Sequence, residues 1–157
     1  MNAGITYQLA NSDAAFAEGR QLVQEYVDSL AIDLSFQQVA QELADLRQQY
    51  AAPRGGLLLV YVHGAAAGCV GVRALAADPA ELKRMYVRPA FWGRRLGKVL
   101  LEQALALTKA LGYRAIRLDT LADMAETQQL YQAAGFVLIP AYRFNPVPGV
   151  VYLEKLL

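Results

Sequence analysis

Residues 81–111 constrain the fold of this chain more than any other stretch, because three local patterns follow one another there. The segment Leu82–Val87 has the apolar content of a strand, and Leu96–Leu111 has apolar residues at helical spacing before Gly112. A basic turn, residues 93–98, joins the two patterns. Since the first N–H groups of a helix lack intrahelical partners and the helix dipole favours negative charge, we expect a phosphate-bearing ligand at this turn.

Positive charge is concentrated around the same turn. Between positions 83 and 98 the chain has six basic residues and no acidic one: Lys83, Arg84, Arg88, Arg94, Arg95 and Lys98. A solvated basic face is the plain alternative, but cations at a helix N-terminus oppose the dipole unless an anion neutralises them. Because the net charge of the whole chain is only +1, we expect neither nucleic acid nor a membrane surface as a partner.

Length and composition indicate a single domain over residues 1–157. No apolar run approaches the roughly 18–20 residues that span a bilayer, and the N-terminus lacks a basic and then apolar leader pattern. We therefore expect a cytoplasmic protein. The single cysteine and the single histidine argue against a zinc or iron site, and we expect no metal.

Seven strand patterns and four helix patterns occur along the chain. In order they are a strand at 5–9, helices at 12–30 and 35–50, strands at 57–62, 65–75 and 82–87, a helix at 96–111, a strand at 115–119, a helix at 124–134, and strands at 136–142 and 150–156. Ser35 has capping-box spacing to Gln38 and is the predicted start of the second helix. Residues 82–119 predict a right-handed crossover with a parallel strand pair, and ligands bind beyond the carboxyl ends of such strands.

The basic turn and a second segment together resemble the GNAT superfamily of N-acetyltransferases, and the similarity covers essentially the whole chain. The pyrophosphate loop of that family has the form Gln/Arg-x-x-Gly-x-Gly/Ala, and it corresponds here to part of Pro89–Leu101. The second segment is Leu130–Phe136. Trp92 stands where Arg or Gln is usual, and Arg95 replaces a usual glycine. The resemblance implies an α/β (α+β) fold, with a mixed central sheet of about seven strands flanked by about four helices.

The resemblance also implies acetyl-CoA as the acetyl donor. Its pyrophosphate would be bound by backbone N–H groups of Arg94, Arg95, Leu96, Gly97, Lys98 and Val99. Its pantetheine arm would pair with the main chain of Met85, Tyr86 and Val87, as extended ligands do at sheet edges. If the absent glycine allowed close approach of the pyrophosphate, the Arg95 side chain must point away or bind phosphate itself.

Acetyl transfer to an amine requires a neutral amine, stabilisation of the oxyanion and a proton for the departing thiolate. Members of the family commonly use a tyrosine at the position of Tyr131 as the acid. The alternative for Tyr131 is a core residue on an amphipathic helix. The backbone N–H of Tyr86 or Val87 is the natural donor to the oxyanion, and direct transfer in a ternary complex is the expected mechanism.

The general base is less well defined by the sequence. Glu81 begins the strand that leads to the cofactor and could relay a proton through water. Its alternative roles are a solvated strand end or an ion-pair partner of Lys83 or Arg84, and ordered water is the alternative base.

Two other reactive residue types have structural explanations. Cys69 could form an acyl-enzyme in principle, but it lies in a strand of small residues, where a buried structural thiol is expected. His63 lies in the hairpin turn His63-Gly64, away from the expected site.

Acceptor-binding residues are expected at two flanks of the site. Asp33 and Phe36 lie between the first two predicted helices, and Tyr142 and Asn145 lie near the last hairpin. Asp33 would attract a cationic amine, whereas the neighbouring Arg143 would bind an acceptor carboxylate. The sequence therefore does not name the acceptor.

The function implied by the resemblance is transfer of an acetyl group from acetyl-CoA to a primary amine of a small molecule, with a peptide or protein amine as a second possibility. The alternative from another class is a non-catalytic acyl-CoA-binding or sensing module, to which the departures at Trp92 and Arg95 give room. A homodimer is possible by family analogy.

Overall fold

The structure is a computed structural model that describes residues 4–30, 38–121 and 124–157. Within these ranges the strands are β1 (Ile5–Leu9), β2 (Gly56–Val62), β3 (Ala65–Ala74), β4 (Ala80–Val87), β5 (Ala115–Thr120), β6 (Val137–Ile139) and β7 (Val151–Leu156). The α-helices are α1 (Asp13–Ser29), α2 (Val39–Ala44), α3 (Leu46–Gln49), α4 (Leu96–Ala110) and α5 (Ala125–Ala133), and a short 3-10 turn covers Pro89–Phe91.

One mixed sheet contains the seven described strands in the order β1-β2-β3-β4-β5-β7-β6. The β4–β5 pair is parallel, and the other neighbouring pairs are antiparallel. The predicted seven-stranded mixed sheet and the predicted parallel pair are therefore confirmed.

The two faces of the sheet belong to separate apolar cores. Because side chains alternate along a strand, Leu58 and Val60 of β2 join the core that contains α4, whereas Leu57 and Leu59 join the core that contains α1. Both faces of β2 are thus covered, which explains why this strand is a nearly continuous apolar run.

The second predicted helix differs from the structure. We expected one helix over residues 35–50, whereas the described part begins at Val39 and divides at Asp45 into α2 and α3. Asp45 leaves the helical region, with φ −130° and ψ 38°. Aspartate is a poor interior helix residue because its side chain competes for backbone bonds. The described chain consequently has five helices, and the predicted start at Ser35 lies outside the described residues.

The penultimate strand is shorter than predicted. A strand was expected at 136–142, but β6 ends at Ile139. Pro140 follows directly and has no N–H for the ladder, so the chain leaves the sheet there.

Strand β4 carries a bulge at Arg84, whose φ of +60° lies in the left-handed region. The register with β3 shifts at this point, because Lys83 is opposite Gly71 and Tyr86 is opposite Cys69. Two residues of β4 therefore face one residue of β3, which is the geometry of a β-bulge. Such a bulge bends the strand and increases its twist.

Strands β4 and β5 separate toward their carboxyl ends. Their pairing joins Ala80 to Ile116 and Glu81 to Arg117, and it ends there although β5 continues to Thr120. The bulge in β4, at Arg84, lies three residues beyond Glu81, the last residue paired with β5. The sheet is thus open at its centre, on the edge where ligands of parallel strands bind.

Candidate active site

The separation of β4 and β5 forms a central cleft of about 100 Å³. Its walls come from both strands, from α1 and α5, and from the loop before β7. The side chains on these walls that carry polar atoms include Tyr26, Lys83, Asp119, Thr127, Tyr131 and Asn145.

The turn before α4 has the geometry of an anion site. Gly93 and Arg95 have left-handed backbones, with φ of +84° and +58°. Arg95 is the N-cap residue, and no side chain caps this end of the helix within the described ranges. The first intrahelical bond joins the Val99 N–H to the Arg95 carbonyl at 3.3 Å. The N–H groups of residues 96–98 therefore remain for solvent or a ligand.

The two departures from the family pattern have distinct geometries. Arg95 adopts the conformation that a glycine would adopt without strain, so the backbone of the turn keeps its left-handed step. Trp92 is 68% exposed, and its indole N–H donates to the Val87 carbonyl at 2.9 Å. The indole thus joins the turn to the end of β4.

A larger cavity of about 590 Å³, the loop cavity, lies between this turn, β4 and α5. The predicted cofactor residues that line it are Met85, Tyr86, Val87, Arg95, Leu96, Gly97 and Lys98. Four residues line both the loop cavity and the central cleft, namely Tyr26, Met85, Met124 and Thr127. The two spaces are therefore adjacent, and a ligand bound along the loop cavity can extend into the cleft.

The other two predicted cofactor residues do not line the loop cavity. The guanidinium of Arg94 lies over the ring of Phe91, 5.8 Å from its centre. Val99 lies further along the first turn of α4, and its N–H already donates to the helix.

The end of β4 presents alternate backbone groups to the open edge. The Arg88 N–H donates to the Ala67 carbonyl of β3 at 2.8 Å. Because successive backbone groups of a strand point to opposite sides, the N–H of Val87 points away from β3 and that of Tyr86 points toward it. Of the two predicted oxyanion donors, Val87 is the one whose N–H points to the open edge of β4, and Val87 lines the loop cavity.

Tyr131 lies in α5 on the wall of the central cleft and is 4% exposed. Its ring packs edge-on against Phe136, with the ring centres 5.5 Å apart. Burial raises the pKa of the Tyr131 phenol, and the nearby Tyr26 and Asp119 raise it further. The hydroxyl is therefore protonated at neutral pH and can act as a hydrogen-bond donor.

Glu81 is 1% exposed and lies next to a different cavity. Its carboxylate accepts from the Tyr142 hydroxyl at 2.9 Å and pairs with Arg73 at 3.4 Å and Arg143 at 2.5 Å. Arg73 and Arg143 are therefore ion-pair partners of Glu81 that the sequence did not predict. The adjoining polar cavity, between α2 and β3, has a volume of about 530 Å³.

The structure brings one predicted acceptor residue to the central cleft, Asn145. Tyr142 lies behind it, bonded to Glu81, with its ring 5.2 Å from that of Tyr152. Asp33 and Phe36 lie outside the described residues.

The structural explanations of Cys69 and His63 agree with their positions. Cys69 is fully buried, its thiol donates to the Arg84 carbonyl at 3.4 Å, and burial raises its pKa to about 12. His63 has a left-handed backbone in the turn between β2 and β3.

The sequence analysis missed a buried ion pair that supports the bulge. Arg84 donates to both carboxylate oxygens of Glu42, at 2.9 and 3.0 Å, and the two side chains are 4% and 3% exposed. The Tyr50 hydroxyl also donates to Glu42, at 3.0 Å. A signal existed, because Glu42 lies three residues after Val39 and four before Leu46, on the apolar side of its helix.

Asp119 and Tyr26 were also missed. Asp119 lies on β5 at the carboxyl end of the parallel pair, and this position was the available signal. Tyr26 falls on the predicted helix stripe, which gave no reason to separate it from core residues.

Two features are absent from the described residues, 4–30, 38–121 and 124–157. No group of three or more His, Cys, Asp or Glu side chains in them could hold a metal ion. No helix in them is both long and apolar enough to cross a bilayer.

Comparisons with known proteins agree with this geometry. The sequence model described as the Acetyltransferase (GNAT) family matches residues 19–136. An uncharacterized N-acetyltransferase of Schizosaccharomyces pombe is 39% identical over 137 residues, which cover 86% of this chain and 84% of that protein.

Two solved structures have the same fold. An acetyltransferase from Streptococcus agalactiae matches with a TM-score of 0.79 and 20% identity, covering 99% of both chains. The protein yncA of Salmonella typhimurium, solved with its cofactor acetyl-CoA, matches with a TM-score of 0.71 and 16% identity, covering 98% of this chain and 94% of that one. The chain therefore belongs to the acetyltransferase (GNAT) family, which confirms the predicted acetyltransferase activity with acetyl-CoA as donor.

Proposed function

We propose that this acetyltransferase acts on a primary amine of a small molecule and transfers the acetyl group directly, in a ternary complex with acetyl-CoA. One observation carries the proposal: the loop cavity beside α4 and the central cleft beside Tyr131 share lining residues. A donor that occupies the first space delivers its thioester to the second. The acceptor then enters the cleft from the α1 side of the sheet.

In this proposal the pyrophosphate of acetyl-CoA accepts hydrogen bonds from the N–H groups of residues 96–98 at the uncapped start of α4. The exposed cations Arg95 and Lys98 add charge complementarity. The pantetheine arm lies along the open edge of β4 next to Met85 and Val87. Arg94 and Val99 stay predictions as further donors to the phosphates.

The reacting groups act in sequence where the loop cavity meets the central cleft. The Val87 N–H stabilises the oxyanion of the tetrahedral intermediate. When the carbon–sulfur bond breaks, the protonated Tyr131 hydroxyl donates to the leaving thiolate. The phenol is protonated at neutral pH and can donate a hydrogen bond to the sulfur as negative charge develops there.

The role of Glu81 as a general base stays a prediction. Its three bonds favour a positioning role, in which the carboxylate holds Tyr142 and Arg143 at the flank of the cleft. Asn145 is the acceptor-binding residue that the geometry supports best. Tyr142, Asp33 and Phe36 remain predictions.

The test of the proposal is an acceptor panel. Purified protein is incubated with acetyl-CoA and glycine, butylamine, phenethylamine or a lysine-containing peptide, and released thiol is measured. We expect thiol release with at least one small amine and a product heavier by one acetyl group on nitrogen. Release only with the peptide would assign a peptide or protein amine instead. Acetyl-CoA binding without release to any amine would favour the sensing module.

A direct-transfer mechanism also makes a prediction for the enzyme itself. Incubation with acetyl-CoA alone is expected to leave the intact mass of the protein unchanged, because the only thiol, Cys69, is buried with a raised pKa. Stoichiometric acetylation of Cys69, found by mass spectrometry, would instead indicate an acyl-enzyme.

Arg95 gives a prediction about the turn. A non-glycine residue in a left-handed backbone costs about 1–2 kcal/mol, so Arg95→Gly is expected to unfold at higher urea concentration than Arg95→Ala. Both variants lose the same guanidinium, and their acetyl-CoA affinities should therefore fall equally. Urea unfolding, followed by an optical signal without added dye, measures the stability of both variants. Equal stability would contradict a strained turn.

Four further properties stay predictions. We propose that residues 1–157 form one domain, which is supported by the packing of two cores on one sheet.

A homodimer is supported by exposed apolar side chains near the β6 edge, with Val137 61% and Leu138 66% exposed. Light scattering tests the dimer. Cell fractionation tests the cytoplasmic location, and a shift assay tests the expected lack of nucleic-acid binding.

A further inference from the structure

We propose that Asp119 binds the ammonium group of the acceptor in the central cleft and accepts its first proton. This inference rests on the proposed function and identifies the group that prepares the amine for attack. The sequence analysis assigned no role to Asp119.

Asp119 occupies the correct side of the sheet for an acceptor. Ile116 and Leu118 of β5 belong to the core that contains α4, so alternation turns Arg117 and Asp119 to the opposite face. Arg117 uses this orientation to pair with Glu154 of β7 at 2.6 Å. Asp119 lies beyond the last β4 contact and therefore beside the opening rather than beside a paired strand.

The Asp119 carboxylate has an unmet hydrogen-bonding requirement. Its Oδ2 is the one buried side-chain polar atom in the described part of the chain that has no hydrogen-bond partner. Buried polar atoms are nearly always bonded, and a buried charged acceptor without a donor is especially unfavourable. In an enzyme cleft, such an atom is explained by a substrate that supplies the donor.

The charged and titratable neighbours do not replace that donor. Burial lowers the pKa of Lys83, on β4, to about 8. The Asp119 charge is near enough to act in the opposite direction. Burial raises the pKa of four tyrosines on α1, α5, β7 and the loop after β6, and the Asp119 charge raises it further; they are Tyr26, Tyr131, Tyr152 and Tyr142. The Asp119 charge also acts on Arg143 and raises its pKa. Asp119 is thus central among the cleft groups.

Glu81 provides a useful contrast, because it is the other carboxylate near the end of the parallel pair. Its oxygens already accept from Tyr142 and pair with two arginines. A substrate ammonium would have to displace one of these groups from Glu81, whereas Asp119 Oδ2 can accept directly. The geometry therefore favours Asp119 for contact with the acceptor.

The proton balance of the reaction is complete with these groups. Asp119 accepts one proton from the ammonium, and the nitrogen lone pair then forms the bond to the acetyl carbon. The carbon–sulfur bond breaks with its electron pair on sulfur, and Tyr131 supplies the proton that makes the free thiol. The second nitrogen proton restores Tyr131, and the proton on Asp119 leaves to solvent.

A carboxylate in the cleft also restricts the chemical class of the acceptor. An ammonium group offers N–H donors, which the Asp119 carboxylate can bind with charge-assisted hydrogen bonds. An acceptor thioester or carboxylate offers no such donor. The cleft volume of about 100 Å³ is small, so it admits the amine-bearing end of an acceptor rather than a bulky substituted amine. We therefore expect the enzyme to prefer unbranched primary amines over amines with bulky branching at the nitrogen-bearing carbon.

The test compares Asp119→Asn with wild type and with a matched control, Glu154→Gln. Glu154 is a carboxylate on the neighbouring strand whose partner is Arg117, outside the cleft. With the panel amine that wild type turns over best, Asp119→Asn is expected to lose about 10²–10⁴-fold in kcat/KM. Its Kd for acetyl-CoA should match wild type, and Glu154→Gln should keep the wild-type rate.

A thermal unfolding measurement separates this role from a structural one. Because Oδ2 has no hydrogen bond to lose, Asp119→Asn is expected to melt close to the wild-type temperature. A clear fall in melting temperature would show that the carboxylate stabilises the fold and would overturn the inference. Asp119→Glu keeps the charge and should retain more activity than Asp119→Asn, and the reverse order would also overturn it.

The remaining outcomes distinguish the inference from the function it rests on. A wild-type rate in Asp119→Asn would overturn the inference while the amine acetyltransferase stands. No thiol release from wild type with any panel amine would remove both.

Discussion

Replacing Tyr131 by phenylalanine is expected to lower kcat by about 10²–10⁴-fold, the usual effect of losing a general acid. The phenol is buried on the cleft wall, where burial raises its pKa and keeps it protonated. Without it, the leaving thiolate would lose the proton donor that the phenol supplies. The measurement is steady-state thiol release with saturating acetyl-CoA and amine.

Three accompanying results make the Tyr131 prediction specific. The Kd for acetyl-CoA should change little, because the ring and its contact with Phe136 remain. A matched control is Tyr113→Phe, since Tyr113 is also buried but its hydroxyl donates to the Arg54 carbonyl at 2.7 Å, away from the cleft. This control should lose stability and keep its rate. An unchanged kcat in Tyr131→Phe would assign the residue to the core alone.

The largest stability effect is expected at Glu42. Glu42→Ala should lower the free energy of unfolding by about 3–5 kcal/mol, because it removes the carboxylate that pairs with a buried guanidinium. Arg84 loses two charge-assisted bonds, and Tyr50 loses its acceptor. Urea unfolding measures the change. Since Arg84 is the bulge residue, the variant should also bind acetyl-CoA more weakly.

The control for Glu42 is an exposed ion pair. Asp13 pairs with Arg47 on the surface, and the Asp13 side chain is almost fully exposed. Asp13→Ala is expected to leave stability essentially unchanged, because solvent screens such pairs. Similar losses in both variants would contradict the importance given to the buried pair.

The same pair predicts how stability depends on pH. Burial alone would raise the Glu42 pKa, but the bonds and charge of Arg84 lower it below its ordinary value of 4.5. A carboxyl with a lowered pKa in the folded state contributes stability that is complete above its unfolded value and decreases as pH falls through the folded value. Wild type should therefore lose stability as the pH falls below about 4.5. Glu42→Gln should lose less stability over the same pH range.

Features encoded by local residues could be predicted from the sequence. The strand, glycine turn and helix around Gly93 follow from neighbouring residues, and the parallel pair follows from the crossover rule. The anion site at α4 was expected for the same reason, since every helix start leaves N–H groups without partners. Arg95, in place of the usual glycine, keeps the left-handed backbone of the turn, because arginine tolerates that conformation at a modest cost.

Features that depend on tertiary contacts could not. The partner of Arg84 is a glutamate 42 residues away in sequence, and no periodic pattern pairs the two. Two ion-pair partners of Glu81, Arg73 and Arg143, lie on β3 and in the loop after β6, and no local pattern in the sequence places them beside it. The missing partner of Asp119 is visible only once all neighbouring groups have positions.

The most direct test of the central claim is a calorimetric titration of the purified chain with acetyl-CoA and, separately, with S-acetylpantetheine, which lacks the pyrophosphate and the 3'-phosphoadenosine attached to it. The uncapped start of α4 predicts one acetyl-CoA per chain, bound at least about 100-fold more tightly than S-acetylpantetheine, since each bond to a charged group contributes about 1.5–3 kcal/mol. Equal affinities for the two ligands, or no binding of acetyl-CoA, would contradict the central claim that the turn at residues 93–98 holds the donor.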